Sequence, residues 1–156
     1  MKKSILYLLI SLALFSCNNG EREIIIVPKN FKGYILIIFD QKDGEPKSYH
    51  EGSRIYKIPQ NGVLKSQFSG NYGSVGIPEY YYQAINADSK LPSYFEEKKI
   101  PPNKIVGMMG PNGNANKDLA GNERIPFTLF YVGTKSDIEQ YKEQADKLDI
   151  VKLADQ

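Results

Sequence analysis

The sequence predicts a mainly β (α+β) domain: a compact antiparallel sheet or β-sandwich with one C-terminal helix packed on it. Three observations predict it. Apolar runs of strand length, "EIIIV", "YILIIFD" and "IPFTLFYVG", are separated by polar stretches. Thirteen Gly and nine Pro supply turns, while eleven Tyr and seven Phe supply side chains that suit strands. Helical periodicity is clear only near the C-terminus, where Ile138, Tyr141, Ala145 and Leu148 recur.

Taken in order, "EIIIVP" (residues 23–28) reads as a strand closed by Pro28, and "KNFKG" as a turn. "YILIIFD" (residues 34–40) is almost continuously apolar, which predicts a central strand buried on both faces. A polar loop with Asp43-Gly44 follows. "RIYKIP", then "PQNG", then "VLKSQF" predicts a hairpin over residues 54–68, because Asn61-Gly62 tolerates the positive φ of a tight turn. Residues 79–85 read as a strand. "DSKLPSYFEEKKIPPN" (residues 88–103) predicts one or two helical turns, with Pro92 at the first helical position and Pro101 ending them. "KIVGMM" is a short strand, "GPNGNANKDLAGNER" a long polar loop, and residues 125–133 another apolar strand. A helix over residues 137–148 follows, with Ser136 and Glu139 at capping-box spacing.

The N-terminus has its own pattern. Lys2 and Lys3 precede an apolar run over residues 5–15. As a helix that run spans about 16 Å, against a hydrocarbon core of about 30 Å. It is too short to cross and reads as an export signal. It ends at Cys17, the one cysteine of the chain. Leu14 is too large for an ordinary cleavage site. Leu14-Phe15-Ser16-Cys17 instead resembles a bacterial lipobox. That resemblance implies a signal peptide over residues 1–16, palmitate-type acylation of the Cys17 sulfur, and a lipidated polar tether over residues 17–23. It places a single β-rich domain, residues 24–156, at the bacterial cell envelope, on its periplasmic or surface face. Two acyl chains suffice for lasting attachment where one does not.

Charge narrows the partners. The formal net charge is +2; without Lys2 and Lys3 the 20 basic residues become 18, against 18 acidic ones. A neutral body argues against nucleic acid as a partner, which would need a basic face. It also argues against electrostatic adhesion to anionic lipid. The membrane partner is reached through the lipid on Cys17.

The motifs "IVPKNFKGYILIIFD", "GEP", "RIYKIPQNGVL" and "FYVGT" before an acidic helix look like an uncharacterised family of small bacterial envelope proteins. The resemblance implies a compact β-rich domain and carries no catalytic residues. The motif positions also have folding roles: Gly33 and Gly62 suit turns, Pro28 and Pro59 end strands, and Gly133 parts a strand from a helix.

Candidate sites follow from side-chain chemistry. Asn112, Asn114, Asn116, Asp118 and Glu123 have the ligand spacing of an EF-hand calcium loop. The first position lacks Asp, however, and Lys117 stands where the sharp turn needs Gly. Asp40, Asp43 and Glu45 could act as acid and base if burial pushed their pKa values apart. His50 has no second His or Cys in the body to complete a zinc site. Tyr72, Tyr80, Tyr81, Tyr82 and Tyr94 suit a binding surface, since tyrosine joins a large apolar face to a polar tip. The leading expectation is a membrane-anchored, non-enzymatic binding or structural module without cofactor. The alternative is a small envelope hydrolase using Asp40, Asp43, Glu45 or His50.

Overall fold

The computed structural model describes residues 20–156 apart from 74 and 97. Its strands are β1 (Glu23–Val27), β2 (Gly33–Ile38), β3 (Tyr49–His50), β4 (Ser53–Lys57), β5 (Val63–Lys65), β6 (Glu79–Tyr82), β7 (Lys90–Leu91), β8 (Val106–Asn116) and β9 (Arg124–Gly133). Two helices follow, α1 (Lys135–Ala145) and α2 (Ile150–Ala154). The strands form one sheet in the order β3-β4-β1-β6-β7 and a second in the order β5-β2-β9-β8. This is the β-rich α+β class read from the sequence. Both sheets are mixed: β1 runs parallel to β4 and β6, and β2 runs parallel to β5 but antiparallel to β9.

Alternation along the strands builds three layers. Ile35 and Ile37 of β2 and Phe130 and Val132 of β9 meet Ile25, Val27, Tyr56 and Tyr80 of the first sheet in one core. Leu36, Ile38, Leu129 and Tyr131 point the other way and meet Ile138, Ala145 and Ala154 of the helices in a second. The second sheet is therefore covered on both faces, which is why β2 and β9 read as unbroken apolar runs.

Several local expectations are corrected. The turn over residues 59–62 is present, with Gly62 at φ +77° and its N–H donating to Pro59 O at 3.0 Å. It does not close a hairpin. β4 lies in the first sheet and β5 in the second, where Leu36, Ile37 and Ile38 pair in parallel with Val63, Leu64 and Lys65. The turn hands the chain across the sandwich, and burial of Leu64 in the inter-sheet core holds it there. The helical turns expected in residues 88–103 are replaced by a 3₁₀ turn at Ala87–Ser89 followed by β7. Pro92 accepts a hydrogen bond from Gly107 N at 2.9 Å, so this segment lines the start of β8.

Half of the expected polar loop after Met109 is strand. β8 continues to Asn116, pairs with β9 throughout and carries a bulge between Met109 and Asn112. Helix α1 begins two residues earlier than read. Its capping box is Thr134 with Asp137, whose N–H donates to Thr134 Oγ1 at 3.3 Å while its Oδ2 accepts from Thr134 N at 3.0 Å. Ser136 lies inside the first turn. The helix stops at Ala145, and Asp149 caps the short α2.

Candidate functional site

The most concentrated polar chemistry lies where the chain enters the sandwich. Glu23 stands opposite Arg54 in the β1–β4 register, and Ile25 lies between Tyr56 and Tyr80. Alternation turns Glu23, Arg54, Tyr56 and Tyr80 toward the second sheet. Glu23 is only 5% exposed. Asn71 Nδ2 donates to Glu23 Oε1 at 2.9 Å and to the Glu21 carbonyl at 2.8 Å, and Asn71 Oδ1 accepts from Glu21 N at 3.0 Å. Tyr56 Oη lies 3.4 Å from the same Glu23 oxygen. Arg54 donates to Glu21 Oε2 at 2.5 Å and to Ser69 O at 2.6 Å, and its guanidinium lies 4.8 Å from the centre of the Phe68 ring.

Burial dominates the electrostatics here. It pushes the Glu23 carboxyl above its ordinary value, against the opposing pull of Asn71, Arg54 and Tyr56. The Tyr56 hydroxyl is raised by burial and by the Glu23 charge. Tyr80 is raised well above its ordinary value for the same two reasons, and its buried hydroxyl has no hydrogen-bond partner among the described residues. The neighbouring crevice, lined by Asn71, Tyr72, Asn112 and Phe127 among others, holds about 50 Å³. That is room for a few waters, and too little for a substrate. The cluster is built to hold the incoming chain. Residues 21–23, the end of the stretch read as a tether, are bound into the fold through Asn71 and through Arg54 N, which donates to Arg22 O at 2.8 Å.

The carboxylates of the loop after β2 are arranged differently. Asp43 pairs with Lys65 at 2.7 Å, and that lysine's hydrogen bond holds its carboxyl below the usual range. The Glu45 backbone forms an isolated parallel β-bridge with Ser66, and Gln67 Nε2 donates to the carbonyls of Lys42 and Gly44. A depression of about 460 Å³ opens between Asp40, Gln41, Lys42 and Gln67. His50 lies on β3 with its side chain exposed. Among the described residues, no three His, Cys, Asp or Glu side chains are placed to hold a metal ion.

Asn112, Asn114 and Asn116 lie at alternate positions of the extended β8, so they line one side of a strand. Asp118 Oδ1 accepts from the backbone N–H groups of Asn122 and Glu123 at 2.8 and 3.3 Å, closing the turn that follows. The five tyrosines do not gather on one surface. Tyr80 and Tyr82 belong to the inter-sheet core, and Tyr94 packs on the helix side. Tyr81 is on the opposite face of β6 from Tyr80, beneath Lys90, whose Nζ is 5.7 Å from its ring centre. Tyr72 alone is largely exposed. Cys17 lies outside the described residues.

Sequence reading missed the Glu23–Arg54–Tyr56–Asn71 cluster. Its members are spread over three segments, and only the parallel register of β1 with β4 brings them together. The one available signal was the charge pair Glu23 and Arg54, each heading an apolar strand.

A family model described as a family of unknown function (DUF6843) matches residues 19–142. A crystal structure from Bacillus anthracis, described as a "Putative Lipoprotein", is similar in fold at TM-score 0.50 and 16% identity, covering 72% of this chain and 70% of that one. No curated protein matches the chain.

Proposed function

Because the chain belongs to the family of unknown function DUF6843, we propose its role from its own residues: a lipid-anchored, non-enzymatic binding or structural module of the bacterial cell envelope, tethered through Cys17. The observation that carries the reading is the position of the lipobox-like cysteine. Cys17 precedes by four residues the point where Glu21 is fastened to Asn71 and Arg54. A lipid there would hold the domain by an end that is fastened into the fold. The fold shared with a protein described as a lipoprotein supports the same reading. The non-enzymatic part draws support from two features. The carboxyl with a raised pKa, Glu23, is enclosed, and Asp43 of the open loop is held ionised by a lysine.

Metabolic labelling with an alkyne palmitate analogue tests the anchor. The wild type should take up label and sediment with membranes, and Cys17→Ser should do neither. Label on both proteins overturns the reading. A quadruple alanine variant at Asp40, Asp43, Glu45 and His50 tests the rest. It should restore whatever phenotype deletion produces; failure of this folded variant to do so would favour the hydrolase.

A further inference from the structure

The exposed large apolar side chains among the described residues are Tyr49, Tyr72, Ile77, Phe95 and Leu119. They are scattered in sequence, yet all but Phe95 gather at one end of the sandwich. Tyr49 stands opposite Arg54, which stands opposite Glu23 at the start of β1. β6 runs parallel to β1 with Glu79 beside Ile24, so Ile77, just ahead of β6, lies at that end too. A Cβ placed on Gly20 would lie 3.1 Å from the Tyr72 carbonyl oxygen, so the two backbones run close together. Tyr72 also lines the crevice with Asn112, Gly113 and Asn114 of β8.

From that level the β8–β9 hairpin runs outward. β2 ends at Ile38, opposite Phe127, while β8 and β9 go on pairing to Asn116 and Arg124. The extension is about 10 Å at roughly 3.4 Å per residue, and a turn carrying Leu119 caps it. That turn is braced. Asp118 accepts two backbone N–H groups, Gly121 sits at φ +69° with its N–H on Asp118 O, and Lys117 Nζ pairs with Asp155 at 2.9 Å. Leu119 is nonetheless fully exposed. Phe95 marks the other end, two residues after the Ser93–Gly107 bridge.

We propose that this end is a membrane-contact face: Leu119 enters the bilayer interface while Tyr49, Tyr72 and Ile77 lie against the headgroups. The proposal rests on the lipid-anchor reading above. Cys17 is three residues ahead of Gly20, so an acylated Cys17 holds this end within about 11 Å of the bilayer, at roughly 3.6 Å per residue. At that range the tethered end meets lipid at high effective concentration, and one rigidly presented leucine with three flanking side chains can set orientation without supplying the anchorage. Tyrosine suits the interfacial layer because its ring and hydroxyl match the two sides of that boundary. The occupant is the lipid surface itself rather than an anionic headgroup. Lys117 is paired with Asp155 and Arg54 with Glu21, and the body carries no surplus basic charge.

The chain has no Trp, so a single introduced indole reports its own surroundings. Lipidated full-length Leu119→Trp and Phe95→Trp proteins would be reconstituted in phosphatidylethanolamine–phosphatidylglycerol vesicles, with and without brominated acyl chains. Leu119→Trp should show blue-shifted emission quenched by the brominated lipid, and Phe95→Trp should show neither. Protein that floats with the vesicles but leaves Leu119→Trp unquenched overturns the membrane face alone. Emission at position 119 that shifts with protein density rather than with bromination assigns the face to a second copy and also overturns it. Protein that neither floats nor carries acyl label overturns the anchor, and this inference with it.

Discussion

Glu23 shows how one residue can tie stability to pH. Its carboxyl is buried, and its folded pKa lies above the ordinary 4.5. The native state therefore keeps a proton that the unfolded chain has lost. Stability from this group is fully present below about pH 4.5 and falls as pH rises through the raised value. Glu23→Gln keeps an oxygen for the Asn71 amide and removes the titration. Urea unfolding of this variant should show a flatter pH profile than wild type, with the gap in its favour opening above pH 4.5. A wild-type profile that rises over that window would refute the assignment. Close approach fixes another residue. A Cβ at Gly107 would lie 2.2 Å from the Tyr80 ring. Gly107→Ala should cost about 1–3 kcal/mol through overpacking, read as a lowered urea midpoint with unchanged slope. The sequence shows Gly107 only as a glycine inside a strand. What forbids a methyl there is a tyrosine from the other sheet, which no local pattern contains.

At the scale of elements, what can be read is what the chain does locally. β2 and β9 were legible because strands covered on both faces must be apolar at nearly every position, and β1 because it lies inside its sheet and is buried at four of its five positions. The turn over residues 59–62 was legible as a turn, since Gly62 carries the positive φ that the dipeptide suggested. Its destination was not. Whether it closes a hairpin or crosses the sandwich depends on β2, whose parallel pairing with β5 is chosen by burial of Leu64. The far half of β8 was hidden for the opposite reason. Past the bulge its exposed positions are asparagines and its inward ones only Gly113 and Ala115, so it shows no strong apolar alternation. The tyrosines part in the same way: alternation along β6 turns Tyr80 into the inter-sheet core and Tyr81 to the opposite face, and which face meets the other sheet is set outside the local pattern. The start of α1 offers a clean test. Thr134 and Ser136 are both capping residue types, and only Thr134 receives the Asp137 N–H. Thr134→Ala should cost about 1 kcal/mol, measured by thermal or urea unfolding. Ser136→Ala should change stability by less than about 0.5 kcal/mol, as a surface substitution does. Equal losses would restore the Ser136 cap expected from spacing.

The whole molecule is three layers that share the second sheet, and neighbouring residues of β9 can weaken one core at a time. Leu129 faces the helices, while Phe130 faces the first sheet and meets Tyr80 edge-on with ring centres 6.4 Å apart. Leu129→Ala should cost about 2–5 kcal/mol and Phe130→Ala about 3–5 kcal/mol. Global unfolding cannot tell the two apart, because both remove buried volume from the same strand. Their local effects can. Loss of Leu129 opens space beneath α1, so amide exchange should quicken first in Lys135–Ala145 while β1 and β6 keep their protection. Loss of Phe130 removes the ring that packs against Tyr80, beside the Glu23 cluster. The tyrosine dichroism should then change, and exchange should quicken in β1 and β6 while α1 keeps its protection. If both variants loosened both layers alike, the second sheet would not be partitioning the domain. The two hydrophobic clusters would then melt as one.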